Sequence, residues 1–300
     1  MLILSGMSWV PDKALVRLQY FLQTGKKLKL KNPDRFNEKL QAYKLFYRDP
    51  VMLRCTDKLE VREYVKERGL EDILVPVLNV WQDWKEVDYD KLPSKFVIKT
   101  SDGGGGNEVL ICRDKENLNR KEVIDTLRGW MEAPKPKKHI AREWAYENGY
   151  NRKLIMEQLL EEPGNAQNYI GDYKFFCFNG KYKIMQVHRN RKTIHHKAGF
   201  WDENLKFIKD VNILYPTFDH AIDLPKNIKE MVKIAEKLSE GFPYVRVDLY
   251  NIGGKIYFSE LTFYPASGYI PFTPDNFDKR LGKYFQYPFK EKKEKPRIKA

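Results

Sequence analysis

Apolar and polar positions recur with two different periods along the 300-residue chain. Residues 11–24, PDKALVRLQYFLQT, carry Leu15, Leu18, Phe21 and Leu22 at helical spacing, which predicts a helix with those four side chains on its inner face. Helical patterns return at 35–48 and 57–68, the second opening at Thr56 or Asp57 as N-cap. Beyond Leu92 short strand patterns take over. FVIKT (96–100) and EVLIC (108–112) flank the loop SDGGGG; a helix at 120–132, a Pro-Lys hinge at APKPKK (133–138) and a strand in LIMEQLL (154–160) follow. DYKFFCF and KYKIMQV are joined by Asn179-Gly180, a dipeptide suited to a tight hairpin turn. Residues 225–240 predict an amphipathic helix with Met231, Ile234, Ala235 and Leu238 inward. It leads into VRVDLYNIGGKIYFSELTF (245–263), two apolar strands around a Gly-Gly turn. Strands arriving as antiparallel hairpins between helices point to an α+β fold rather than a doubly wound parallel sheet.

Composition narrows the setting. An apolar fraction of 42% with 14% aromatics describes a folded globular chain. The opening MLILSGMSWVPDK lacks a basic leader and a long apolar run, and no stretch is long enough to cross a bilayer. Three scattered cysteines suit a reduced, cytoplasmic protein, and five histidines form no zinc pattern. The net charge of +13 comes partly from the tail FKEKKEKPRIKA, read as a disordered end. The remainder shows no RNA-recognition or zinc-finger signature, so no specific nucleic acid is expected. A polyanionic substrate, or peripheral contact with the anionic inner face of a membrane, explains the excess equally well. For residues 11–24, with Lys26, Lys27, Lys29 and Lys31 following, the preferred reading is a helix covering its own domain; a basic membrane-surface helix is the alternative.

Candidate chemistry sits in two places. Lys99 ends a strand just before Gly103, Gly104, Gly105 and Gly106, and glycines let backbone N–H groups approach phosphate oxygens beside a lysine charge. The order differs from a P-loop, where the lysine follows the glycines. The hairpin at 245–263 carries two acids among its apolar residues, Asp248 and Glu260, which would be costly to bury unless a cation lies between them. Two such carboxylates on neighbouring strands suit Mg2+. With a two-residue Gly253-Gly254 turn, position 251 pairs with 256 and the acids fall on opposite faces. With a three-residue loop, Asn251 pairs with Lys255, Arg246 lies opposite Glu260, and the acids share a face. The three-residue loop is expected, because the other register leaves Glu260 in an apolar face without a partner.

The order of these motifs resembles the ATP-grasp superfamily of carboxylate–amine ligases. TDKLEVREYVKERG (56–69) is similar to the first nucleotide motif and nominates Arg62; FVIK with its glycine loop nominates Lys99 and the four glycines as phosphate contacts. LIMEQLL is similar to the interdomain hinge that meets adenine and nominates Glu157 and Leu159. GDYKFFCFNGKYKIMQVHRNR resembles the Asp-x-Arg strand of peptide-forming members, with Asp172 in place and Lys174 replacing the arginine. RVDLY…FSELTF resembles the metal hairpin: Asp248 and Glu260 as magnesium ligands, Arg246 over the transferred phosphoryl group, and Thr262 where the family usually has asparagine. NPDRFNEKLQAYKL, DYKFFCFNGK and FPYVRVDLYNIGGKIYFSELTFYPASG look like the teichuronopeptide-biosynthesis (TupA-like) branch, associated with bacterial surface-polysaccharide loci.

The resemblance implies an ATP-grasp fold with two subdomains gripping the nucleotide. Its expected boundaries are a helical segment at 1–55, a small subdomain at 56–153, a large subdomain at 154–288 and the tail at 289–300. It further implies ATP with one or two Mg2+ ions, and an amide formed through an acyl phosphate. Arg246 and Lys174 would be catalytic. The expected substrates are a uronic-acid-type carboxylate, on a saccharide or nucleotide-linked precursor, and an amino acid or small amine. Arg189, Arg191, His195 and His196 are candidates for gripping that substrate. The rivals are a kinase built from the same parts, a glycosyltransferase suggested only by Asp88-x-Asp90, and a non-enzymatic polyanion binder.

Overall fold

The computed structural model describes residues 9–134, 140–147, 152–162, 170–191 and 193–287. Four helices come first: α1 (Asp12–Thr24), α2 (Phe36–Phe46), α3 (Pro50–Thr56) and α4 (Glu60–Glu67). The chain then alternates, with β1 (Val77–Trp81), β2 (Phe96–Thr100), β3 (Val109–Cys112), α5 (Arg120–Glu132) and β4 (Leu154–Glu157). Next are β5 (Gly171–Phe178), β6 (Lys181–Arg189), β7 (Lys197–Asp202), β8 (Phe207–Ile208), α6 (Ile228–Ser239), β9 (Tyr244–Ile252), β10 (Lys255–Thr262) and α7 (Asn276–Tyr284). Two antiparallel sheets result, a four-stranded one ordered β1-β4-β2-β3 and a six-stranded one ordered β10-β9-β5-β6-β7-β8.

Each sheet has its own core. The amide side chain of Asn119 caps α5 by accepting the Glu122 N–H, and α5 lays Val123 and Leu127 against Phe96, Ile98, Leu154 and Met156 of the small sheet. On the large sheet, β5 places Tyr173, Phe175 and Cys177 on one face and Asp172, Lys174 and Phe176 on the other. The first face packs on α6, where Met231, Ile234, Ala235 and Leu238 are buried as the periodicity predicts. The second face is shared. α2 covers one end of it, with the Phe36 ring 6.1 Å from Phe176 and 5.0 Å from Tyr244. The other end, carrying the charged residues, is left for the site.

The Asn179-Gly180 turn forms as expected, both residues having positive φ (48° and 75°). The helix at 120–132 also stands where the pattern puts it. Two expectations need correction. α1 turns Leu15, Val16, Gln19 and Tyr20 inward and leaves Leu18, Phe21 and Leu22 exposed. Apolar residues occupy both sides of this helix, and Gln19 goes inward because its amide donates to the Ile140 carbonyl and accepts from the Tyr269 hydroxyl. The hinge at APKPKK lies largely outside the described residues.

The second correction concerns the metal-like hairpin. Its turn is the two-residue one: Gly253 and Gly254 both have positive φ (55° and 90°), and Ile256 pairs with Asn251. The acids nevertheless share a face, because a β-bulge at Ser259 shifts the register so that Glu260 pairs with Asp248 and Thr262 with Arg246. Packing explains the bulge. Ile256 and Phe258 need one parity to reach the core and Leu261 needs the other, and all three are buried.

Candidate active site

Cross-strand pairing builds the charged face of the large sheet row by row. Asp172 pairs with His188 and Tyr250, Lys174 with Gln186 and Asp248, and Asp248 in turn with Glu260. Paired residues point to the same side, so these groups converge although they are spread over nearly ninety positions of sequence. Asp248 is fully buried and saturated by cations. The Arg246 Nε donates to Asp248 Oδ1 and its Nη2 to Oδ2, each at 2.7 Å, while Lys174 Nζ donates to Oδ2 at 2.5 Å. Arg246 reaches further, to Glu260 Oε1 at 3.4 Å and to Thr262 Oγ1 at 3.0 Å. Burial alone would lower the pKa of Arg246; the Asp248 carboxylate overrides that and raises it.

The network continues along the strand. Lys174 Nζ lies 2.9 Å from Asp172 Oδ2, and Arg191 Nη1 donates to the same oxygen at 2.7 Å. Burial pushes the Asp172 carboxyl up, but Lys174 and then Arg191 overcome it and hold it below the usual carboxylate range. His188 Nδ1 and His196 Nε2 are 2.9 Å apart, so at least one ring must be neutral to accept. His196 also stacks on Tyr215, with ring centroids 3.7 Å apart. Burial, with Lys174, Arg191, His196 and Arg246 nearby, pushes the His188 imidazole down to about 2.

The small sheet meets the large one beside β10. A cleft between the two sheets is lined by Lys58 and Arg62 from the α4 region, Lys99 of β2, Glu157 of β4, and Phe258 and Ser259 of β10. Lys99 Nζ is 2.6 Å from Glu157 Oε2, since β2 and β4 are neighbours. Arg62 Nη1 donates to the Val75 carbonyl at 2.9 Å, and burial lowers its pKa. Lys58 Nζ donates to the Gly103 carbonyl of the glycine loop. Burial lowers its pKa first, and the neighbouring Lys99 lowers it further, while Glu260 acts the other way. Lys58 therefore holds the glycine loop while lying within electrostatic reach of Glu260.

Within the loop, Gly103 has a steric role. An added Cβ would lie 2.3 Å from Thr100 Oγ1 and 2.7 Å from Glu108 Oε2, which themselves hydrogen-bond at 2.6 Å. Gly104 has open space around it, and Gly105 and Gly106 have positive φ (67° and 74°). Leu159 follows β4, half-buried, after Gln158 has donated its N–H to the Pro76 carbonyl.

Of the nominated residues, Arg62, Lys99 and Glu157 line that cleft. Asp172, Lys174, Arg191, Arg246, Asp248, Glu260 and Thr262 form the charged network of the large sheet. Two others stand apart from both. Arg189 belongs to the opposite face of β6, where its Nη2 donates to the Tyr173 hydroxyl at 2.5 Å and its guanidinium covers that ring. His195 sits on an exposed turn, its N–H held by Thr193 Oγ1. Lys58 lines the cleft, and His188 and Gln186 stand on the charged face of the large sheet, without having been nominated. The signal for the last two was available, since they are the polar positions alternating with apolar ones in KIMQVHR. Asp88 closes a turn, accepting the Asp90 N–H, and pairs with Lys91, while Asp90 pairs with Arg120.

Asp248, Glu260 and Thr262 form an all-oxygen donor set, which fits a hard divalent cation. Among the described residues no three His, Cys, Asp or Glu side chains converge as a metal cage.

A model of the TupA-like ATP-grasp family matches residues 38–286, most of the chain. The chain belongs to the TupA-like ATP-grasp family. No curated protein matches it. Solved structures similar to it include a D-alanine–D-alanine ligase from Bacillus anthracis complexed with ATP, at 16% identity and a TM-score of 0.41 over 70% of this chain and 55% of that one. An L-amino acid ligase from Bacillus licheniformis is 15% identical with a TM-score of 0.45, over 87% of this chain and 57% of that one. D-alanyl-alanine synthetase A from Vibrio cholerae is 12% identical with a TM-score of 0.46, over 79% and 62%. The ATP-grasp chain described here spans little more than half the length of these structures.

Proposed function

We propose that this ATP-grasp chain is an ATP-dependent carboxylate–amine ligase that forms an amide through an acyl phosphate. The observation carrying the proposal is the pairing of Asp248 with Glu260, with Arg246 and Lys174 donating to Asp248, and Glu260 within electrostatic reach of Lys58, which lines a cleft together with Arg62 and Lys99. A triphosphate needs such a concentration of cations, and an apolar wall with a carboxylate beside it (Val61, Phe258 and Glu157) suits adenine. The two sheets would be the two subdomains that grip the nucleotide.

Asp248, Glu260 and Thr262 would hold Mg2+, one ion or two. When bound, the metal neutralises phosphate charge and orients the γ-phosphoryl group. Lys174 and Arg246, which pair with Asp248 in this structure, would turn to phosphate oxygens, and Arg246 would stabilise the charge of the transferring group. Lys58, Arg62 and Lys99 would bind the remaining phosphates. The glycine loop, anchored by Gly103 and by Lys58, would cover them and exclude water, because an acyl phosphate open to solvent hydrolyses. The carboxylate and amine would enter beside Arg191, His188 and His196.

Family membership and the +13 charge support a sugar-acid carboxylate, such as a uronic acid, joined to an amino acid or small amine in bacterial surface-polysaccharide (capsule or cell-envelope) biosynthesis. Purified protein should release ADP only with Mg2+, a uronic acid and an amine together, and mass spectrometry should find the amide. Asp248→Asn should lower that rate by on the order of 10²–10³ while leaving the fold intact. ADP release without the amine, giving a stable phosphorylated sugar, would instead identify a kinase. Sugar-nucleotide binding without ATP binding would identify a glycosyltransferase.

A further inference from the structure

Helix α1 is apolar on two sides. Leu15, Val16 and Tyr20 are buried against the body of the protein. Ala14, Leu18, Phe21 and Leu22 recur at i, i+4, i+7 and i+8 and form a second stripe directed away from it. Leu18 is 42% exposed, Phe21 51% and Leu22 62%, and Trp9, just ahead of the helix, is 80% exposed. Eight large apolar side chains are exposed among the described residues, and four of them lie in this one segment. An isolated exposed leucine needs no explanation, but a stripe with a tryptophan at one end does.

The charge around the stripe indicates what covers it. Residues 9–31 contain Lys13, Arg17, Lys26, Lys27, Lys29 and Lys31 against the single acid Asp12. Lys26 is engaged by Asp275, and Lys29 lies 3.8 Å from Asp34. Arg17, Lys27 and Lys31 are exposed and take part in no ion pair among the described residues. An apolar stripe with an aromatic residue at one end and basic residues beside and beyond it matches the boundary of an anionic bilayer. Tryptophan prefers the headgroup level there, and lysines remain in contact with lipid phosphates.

We infer that α1 docks the protein on anionic lipid, with Leu18, Phe21 and Leu22 entering the acyl boundary and Arg17, Lys27 and Lys31 meeting headgroups. The interaction is peripheral, since no helix among the described residues is long and apolar enough to cross a membrane. It stands apart from the ligase reading, because no α1 residue lines the cleft.

The test is co-sedimentation of the full chain with phosphatidylcholine vesicles, with and without phosphatidylglycerol. Wild type should pellet with the anionic vesicles only, and less in high salt. Phe21→Ser with Leu22→Ser should reduce partitioning at least about tenfold, with unchanged melting and unchanged nucleotide binding, because both side chains already face solvent. Lys27→Glu with Lys31→Glu should reduce it as well and flatten the salt dependence. The inference is overturned if wild type stays in the supernatant, or if the Phe21/Leu22 variant pellets as wild type does, the tail then being responsible. It is equally overturned if wild type is a dimer that this variant converts to monomer, which would make the stripe an interface between copies.

Discussion

His188 shows how one residue's surroundings become a property of the whole fold. Folded, its ring is kept neutral by burial and by the cations around it. Unfolded, it takes up a proton near pH 6.5, so stability declines as pH falls below that value, by up to about 1.4 kcal/mol per pH unit. His188→Asn has no such proton to gain. Between pH 7 and pH 5, urea denaturation should show wild type losing about 2 kcal/mol more than the variant, and parallel losses would refute this account. The roles of individual residues were unevenly legible. Lys99, Asp248 and Glu260 are conspicuous because charges interrupt apolar strands. Lys58 is not, since a lysine at the start of a helical pattern is ordinary until the fold sets it against the Gly103 carbonyl.

Among the elements, the hairpin β9–β10 carries the clearest lesson. A Gly-Gly turn that requires positive φ at both positions and a bulge five residues later act together to place Glu260 opposite Asp248. Gly254→Val forces a branched residue into a left-handed conformation and should cost about 1–2 kcal/mol in a thermal or chemical melt. Gly253→Asn should be nearly neutral, since asparagine tolerates that region. The bulge could have been read from sequence, because Ile256 and Phe258 share one parity and Leu261 has the other. The expectation of a three-residue loop sought a partner for Glu260 while keeping both strands regular, and a bulge supplies that partner instead. Helix α2 is the opposite case: Asn37, Gln41 and Lys44 are buried polar residues that donate to the carbonyls of Ile270, of Ser267 and Gly268, and of Ala141 and Ser267. Burial pushes the Lys44 ammonium down to about 7. No periodicity announces this, since by pattern those positions would face water.

For the molecule as a whole, the cleft draws its walls from both sheets and from the α3–α4 region, so a ligand seated there joins parts with separate cores. Nucleotide binding should therefore stabilise the entire fold. At Mg-ATP a hundredfold above its Kd, the gain should be about 2.7 kcal/mol, read as a raised thermal midpoint. Lys58→Met should weaken the binding and reduce that gain, whereas Arg189→Gln, on the far face of the sheet, should leave it unchanged.

Local spacing alone determined the helices at 120–132 and 225–240, the two hairpins, the α+β character and the choice of Lys99, Asp248 and Glu260, because period and turn chemistry act over a few residues. Tertiary structure alone decided which side of α1 is buried, that Arg189 and Arg191 part to opposite faces, and that Lys174, Asp248 and Glu260 meet in one row. Those outcomes depend on which strands become neighbours and where a bulge resets their register, and neighbours distant in the chain are chosen by packing.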